Sequence, residues 1–251
     1  MTEKRIALVT GANQGVGFQV AKELVAHDHI VFVGSRNLAR GEAAAKEIGH
    51  GAIPLQLDVT EQASIDAATE SIRWEFGRLD LLVNNAAISN TKRGNLSLEE
   101  YAKTTRPSNV SLDEMRAVWD TNVFGVLAVY QAMLPLLQKS SDARIVNVSS
   151  GVGSLATNAD KSFTYRSIYG PVYPASKAAL NAITLAMMIE LELTEIKINL
   201  VSPAFTKTNL NGYQGIESLE DGSREVVRVA LFGPNDPSGT FTRWENTAIP
   251  W

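Results

Sequence analysis

The chain has 251 residues, 45% hydrophobic and 20% charged, an ordinary globular composition that can bury a substantial core. A formal net charge of −4 leaves no basic footprint for nucleic acid, and the lack of any cysteine excludes disulfides and thiolate metal sites. The apolar run from Ile6 to Val9 is too short for a secretory signal, and no stretch reads as a membrane span, so a soluble cytoplasmic protein is expected.

Ile6–Thr10 is the first β-branched run and reads as a strand. The segment Thr10-Gly11-Ala12-Asn13-Gln14-Gly15-Val16-Gly17 joins it to a helical pattern over 15–26. Glycines here permit a tight turn and close backbone approach to a phosphate, which then meets the free N–H groups of a helix N-terminus. The spacing is Gly-x-x-x-Gly-x-Gly and not the commoner Gly-x-Gly-x-x-Gly, but its place between a first strand and a first helix points to nucleotide binding. A second strand, Ile30–Ser35, ends at Ser35-Arg36 with no acid before Glu42. An acid at this point would take the adenine ribose hydroxyls of NAD, whereas an arginine accommodates a 2′-phosphate. Arg36 therefore favours NADP(H).

Strand-like runs follow at Ile53–Asp58, Leu79–Asn84, Arg144–Ser149 and Ile196–Ser202, with a weak last one at Thr240–Trp244. Helical patterns lie near 38–48, 61–76, 113–138, 174–193 and 217–231. This alternation predicts βαβ crossovers and an α/β fold: one Rossmann-type domain over 1–251, with a doubly wound parallel sheet. Two connections exceed what a crossover needs, 88–112 and 151–172. Both follow strand carboxyl ends, where open α/β sheets bind ligands, so both are expected to flank a substrate. His27, His29 and His50 fall near element ends and are read as surface or loop residues; no metal site is expected.

Tyr173 and Lys177 stand four apart in Tyr-Pro-Ala-Ser-Lys, which puts both side chains on one helix face. Pro174 suits a first helical turn. A cation about 6 Å from a phenol, at an effective dielectric near 20, favours the phenolate by roughly 3 kcal/mol, on the order of 2 pKa units. A tyrosine so tuned can exchange a proton with an alcohol or carbonyl oxygen.

These motifs together resemble the short-chain dehydrogenase/reductase family, over nearly the whole chain. Thr10–Gly17 is similar to its glycine turn, Asp58-Val59 to its adenine-contacting pair, and Asn84-Asn85-Ala86-Ala87 to its Asn-Asn-Ala-Gly signature. Asn122, Ser150, Tyr173 and Lys177 match its catalytic tetrad, and Pro203-Ala204-Phe205-Thr206-Lys207-Thr208 its nicotinamide clasp. The resemblance implies hydride transfer between NADP(H) and a carbonyl/alcohol pair, most like the family's NADPH-dependent carbonyl reductases. Tyr173 would be the acid or base, Ser150 would align the carbonyl oxygen, Lys177 would lower the phenol's pKa and bind the nicotinamide ribose, and Asn122 would hold a relay water. Cofactor contacts would come from Gly11, Asn13, Gln14, Gly15, Val16, Gly17, Ser35, Arg36, Asp58, Val59, Asn85, Ala86, Ala87, Pro203, Phe205, Thr206 and Thr208. Alternatives are an alcohol dehydrogenase acting mainly in oxidation and a noncatalytic dinucleotide sensor.

The sequence departs from the family pattern at Ala87 and Ala204, where glycine is usual, and in the long 23-position interval from Ser150 to Tyr173. Pocket walls are expected from Ile88, Val152, Leu155, Phe205, Leu210 and Tyr213, which suits a hydrophobic small-molecule ketone or aldehyde. Val123–Leu137 and Ala178–Leu193 are apolar on nearly every face and must bury more than one side. A homodimer or homotetramer through these helices is favoured over cover by the chain's own insertions.

Overall fold

The computed structural model describes residues 4–92, 94 and 96–251. Its centre is a sheet of eight strands: β1 (Ile6–Val9), β2 (Ile30–Ser35), β3 (Ala52–Gln56), β4 (Leu81–Asn84), β5 (Arg144–Val148), β6 (Lys197–Val201), β7 (Phe241–Arg243) and β8 (Thr247–Ala248). Their order is β3-β2-β1-β4-β5-β6-β7-β8, and only the β7–β8 pair is antiparallel. Parallel strands covered on both faces must be apolar throughout, and β1 and β4 are buried at every position. Alternate residues of β1 serve opposite cores. Ile6 and Leu8 pack toward α3 (Gln62–Phe76), α6 (Gly125–Leu137) and α8 (Tyr173–Glu190). Ala7 and Val9 pack toward α1 (Gly15–Ala26), α2 (Leu38–Ile48) and α9 (Leu219–Ala230).

The strand order reverses at β1, which pairs with β2 on one side and β4 on the other. Chain leaving β1 and chain leaving β4 therefore part to opposite faces and open a crevice at the carboxyl edge. At the far side of the sheet, fully buried Arg144 braces β5 and β6. It donates to Asn199 Oδ1 at 2.5 Å, Pro237 O at 3.0 Å and Gly233 O at 3.1 Å, tying down the connection from α9 to β7.

Four features differ from the sequence expectation. The helix expected over 113–138 is α5 (Leu112–Trp119) and α6 joined by a π-helical turn, Asp120–Phe124. Gly125 lies so close to Val59 that an added Cβ would stand 2.8 Å from its carbonyl oxygen, which seats the turn against the chain after β3. The run Leu112–Leu137, 26 residues long, is also long and apolar enough to cross a membrane, contrary to the reading that nothing was. Half of its most apolar window is buried in the protein, as for a core helix. Two short helices stand in the long connections, α4 (Leu98–Thr104) and α7 (Leu155–Ala159). The first has a capping box, Ser97 with Glu100, which the sequence displays. Finally, β8 turns the chain back along β7, giving the parallel sheet an antiparallel edge.

Candidate active site

The turn after β1 is held from behind by the turn after β4. Asn85 Nδ2 donates to Thr10 O at 2.9 Å and Gly11 O at 3.2 Å, while Thr10 Oγ1 accepts from Asn85 N and Ala86 N. Gly17 makes room for this clamp: a Cβ there would lie 2.3 Å from Asn85 Nδ2. Gly11 and Gly15 have φ of 63° and 62°, a region costly for other residues. Helix α1 begins without a side-chain cap and with no acid in its first turn, so its N–H groups face the crevice uncompensated. These features fit a pyrophosphate. Asn85 thus supports the turn, and Asn13, Gln14 and Val16 edge it. Ala87 and Ala204 are not among the residues with positive φ, so alanine is unstrained at both positions.

Around the adenine end, Ser35 is buried and its hydroxyl donates to Asn37 O at 2.8 Å, which commits it to the turn. Arg36 is exposed beside it. Asp58 Oδ1 accepts from Thr60 N at 3.0 Å and Thr60 Oγ1 at 2.7 Å, and Val59 is buried under Gly125. In the last segment, Thr206 is buried against Gly222, where a Cβ would meet its Oγ1 at 2.0 Å, and its hydroxyl donates to Ala204 O. Thr208 stands over Gly15, 3.6 Å from where a Cβ would sit. The two ends of the crevice are therefore nearly in contact.

Helix α8 brings the reactive group to β5. The Tyr173 and Ser150 side chains are close enough to interact, while Ser149 is buried and donates to Asn181 Oδ1 at 2.5 Å. Strand alternation separates the two hydroxyls, and Ser150 faces the tyrosine. Lys177 Nζ donates to Val148 O at 2.8 Å and lies 5.8 Å from the Tyr173 ring centre. The electrostatics run against the sequence expectation. Burial pushes the Tyr173 phenol up to about 12, with the Ser150 bond opposing, and pulls Lys177 down to about 7. Loss of solvation dominates both groups, so the phenol is raised and not lowered. Asn122 is buried with both amide hydrogens committed, to Ile88 O at 2.8 Å and Ser176 Oγ at 3.0 Å, and its Oδ1 accepts from Ile88 N.

Ser150 and Tyr173 open onto a cavity of about 610 Å³. Val16, Pro203, Phe205, Thr206 and Thr208 line its cofactor side. Of the expected substrate walls, Val152, Phe205 and Leu210 are lining residues, while Ile88, Leu155 and Tyr213 are not. Leu155 and Tyr213 are exposed. Both long connections contribute: Leu98, Tyr101 and Thr105 from one, and Phe163, Tyr165 and Ile168 from the other. They also touch each other, through Arg106 Nη2 donating to Ser167 O at 3.1 Å.

Sequence reasoning missed three supports. Glu114 on α5 is buried and accepts from Thr91 N at 2.7 Å, Thr91 Oγ1 and Tyr101 OH at 2.5 Å, fixing one loop. Burial opposes its ionisation, yet these bonds hold its pKa below the usual carboxylate value. Asn181 and Thr184 continue the Lys177 face of α8 at helical spacing, a periodic signal that was present in the sequence. Residues 248–250 line the cavity, beyond the last strand that the pattern showed, as does Trp244 at its end.

A family description, short chain dehydrogenase, matches residues 5–217. The short-chain dehydrogenase anuI of Penicillium roqueforti is 35% identical, over 98% of this chain and 96% of its own length. (-)-Isopiperitenone reductase of Mentha piperita is 32% identical, over 95% and 96%. Among solved structures, an NADPH-bound carbonyl reductase from chicken fatty liver superposes with a TM-score of 0.79 at 28% identity, covering 99% of this chain and 100% of that one.

Proposed function

Because this chain belongs to the short-chain dehydrogenase/reductase family, and is an oxidoreductase using a nicotinamide dinucleotide, we propose that it reduces an apolar ketone or aldehyde with NADPH. The observation that carries this is the meeting of Ser150 and Tyr173 at the floor of a largely apolar cavity. Relatives named for reducing isopiperitenone and salutaridine, and the NADPH-bound carbonyl reductase, support the same chemistry. When bound, the dinucleotide supplies a hydride at nicotinamide C4. The glycine turn and the α1 N-terminus would hold its pyrophosphate, and Lys177 its nicotinamide ribose.

The chain's own residues manage the oxygen. Ser150 Oγ–H donates to the carbonyl oxygen and fixes its position. Tyr173, with a pKa of about 12, stays protonated at neutral pH, and this is the form that gives a proton to the oxygen as it becomes an alkoxide. Charged Lys177 stabilises the phenolate left behind. Asn122, with its amide consumed by Ile88 and Ser176, positions the β4 loop against α8. Loops 88–112 and 151–172 exclude water and shape the substrate. Arg36, exposed and with no acid beside it, favours the 2′-phosphate of NADPH. The outer stripe Leu185, Ile189 and Leu193, with Phe124 nearby, is exposed and supports a homodimer or homotetramer through α6 and α8.

Four outcomes follow from these assignments. Tyr173→Phe keeps cofactor affinity and loses at least about a hundredfold in turnover, and Ser150→Ala is impaired more than Ser149→Ala. A folded Tyr173→Phe protein with near-normal kcat contradicts the role of proton donor. The pH profile of reductive kcat/KM is level below about 7 and falls above it, because Lys177 loses the charge that stabilises the phenolate. A rise through neutrality contradicts this. Wild type prefers NADPH over NADH by about tenfold, the lower end for a charge-assisted contact because Arg36 is exposed, and Arg36→Asp reverses the order. Equal kcat/KM values for the two cofactors in the wild type would place Arg36 outside the contact. Light scattering reports an oligomer for the wild type and a monomer for Leu185→Glu/Ile189→Glu; a monomeric wild type rejects the interface.

A further inference from the structure

The far wall of the cavity is the β7–β8 hairpin and the residues after it. Trp244, Ala248, Ile249 and Pro250 all line it. This wall is fixed at several points. Ile249 N donates to Phe241 O at 2.8 Å, and Ser154 Oγ donates to Pro250 O at 2.5 Å. Ala156 N donates to Trp251 O at 3.2 Å, and the Trp251 ring meets Phe241 edge-on with centroids 6.0 Å apart. On the opposite side, buried Glu225 accepts from Asn246 N and takes both Nε and Nη2 of Arg228.

Arg243 belongs to this wall and is the one Lys, Arg, Asp or Glu among the described lining residues. Alternation along β7 puts it on the side of Phe241 and away from Thr242, which is buried. The neighbouring cations are committed. Arg228 is spent on Glu225, and Arg224 pairs with Asp221 at 2.6 Å with its guanidinium 5.8 Å from the Trp244 ring centre. Among the described residues, the Arg243 guanidinium has no hydrogen-bond or ion-pair partner, its backbone pairing with Thr247 aside. No described carboxylate lines the cavity. Glu114, which accepts from the lining residue Tyr101, is consumed by it and by Thr91. The remaining surface is aromatic in part: Phe163 and Tyr165 have centroids 5.8 Å apart, and Tyr165 and Phe205 6.5 Å.

We propose that Arg243 is an anion subsite of the substrate cavity, and that the preferred substrate is an apolar keto or aldehyde compound bearing a carboxylate away from its carbonyl. The inference rests on carbonyl reduction as the reaction. The carbonyl is held at Ser150 and Tyr173, the hydrophobic body lies against Phe163, Tyr165 and Phe205, and the carboxylate pairs with the guanidinium. A fork of N–H donors matches a carboxylate in two places; the Arg243 side chain is exposed, and the braced wall fixes the backbone that carries it, so no loop has to order on binding. A cationic substrate finds no counter-charge and meets Arg243 instead.

The test uses naphthoylpropionate and its neutral methyl ester. Calorimetry measures the binding of each to the protein saturated with NADP⁺, for wild type, Arg243→Gln and Arg243→Lys, and turnover with NADPH is followed in parallel. Wild type binds the acid about tenfold tighter than the ester, and the ratio shrinks with added salt. Arg243→Gln brings the ratio close to one with ester affinity unchanged, while Arg243→Lys keeps part of it. Equal affinities in the wild type, no measurable acid binding, or an equal loss for acid and ester in Arg243→Gln would overturn the subsite. Failure to oxidise NADPH with any carbonyl compound would instead defeat the reductase reading, and the binding ratio would still decide the role of Arg243.

Discussion

The seam between β5 and α8 is the constraint on which the site depends. Three successive residues of the strand each bond to one face of the helix. Asn147 Nδ2 donates to Thr184 Oγ1 at 2.8 Å, Val148 O accepts from Lys177 Nζ at 2.8 Å, and Ser149 Oγ donates to Asn181 Oδ1 at 2.5 Å. Positions 177, 181 and 184 are spaced to share a helix face. The seam is buried, so each bond must be made or a desolvated polar group is left unpaired, at a cost of about 1–3 kcal/mol. That penalty makes the register of α8 on β5 specific in a way that apolar packing alone would not. Ser150 is the next residue along the strand and Tyr173 is one turn before Lys177 on the helix. Their meeting is a consequence of the seam.

The same burial decides the protonation states. A phenol and an amine in a dry interior both prefer to be neutral, and here burial shifts both in that direction. Tyr173 is kept protonated, the form that the proposed reduction requires. Lys177 is brought into the neutral range, where its charge is sensitive to its surroundings. The crevice is built by a comparable economy of parts. Asn84 Nδ2 donates to Asn147 Oδ1 at 2.8 Å, so the seam extends across the sheet to β4, and Asn85 next to it clamps the glycine turn. Cofactor cradle and proton donor are thereby linked through a few buried amides.

Much of the fold was legible because it is written in periodicity. Buried parallel strands such as Ile30–Ser35 must be continuous apolar runs, and their alternation with helical patterns leaves few topologies. Ser150, Tyr173 and Lys177 were legible because chemistry restricts their types and spacing. Other features left weaker traces. The π turn at Asp120–Phe124 adds one residue to a helical pattern, an offset of one position that is hidden in a stretch apolar on nearly every face. The weak run Thr240–Trp244 did register as a strand and holds β7, but the two-residue β8 that folds back on it is too short for alternation to show, so the part Arg243 plays in a cavity wall was not legible. The direction of the pKa shifts was misread for a physical reason: a distance between two groups says nothing about how much water each has lost. Leu155 and Tyr213 were assigned to the cavity from proximity in sequence, but α7 turns Leu155 outward and Tyr213 takes a left-handed conformation with φ of 60°.

The central claim is that the β5–α8 seam, and not the reacting residues alone, sets the catalytic geometry. The most direct measurement is kcat together with cofactor dissociation constant for Asn181→Leu, a near-isosteric change that removes one rung and touches neither Ser150 nor Tyr173. The account predicts a folded protein that binds NADPH normally and turns over about tenfold to a hundredfold more slowly, the scale of a misplaced catalytic group. Unchanged kcat in that variant would contradict it.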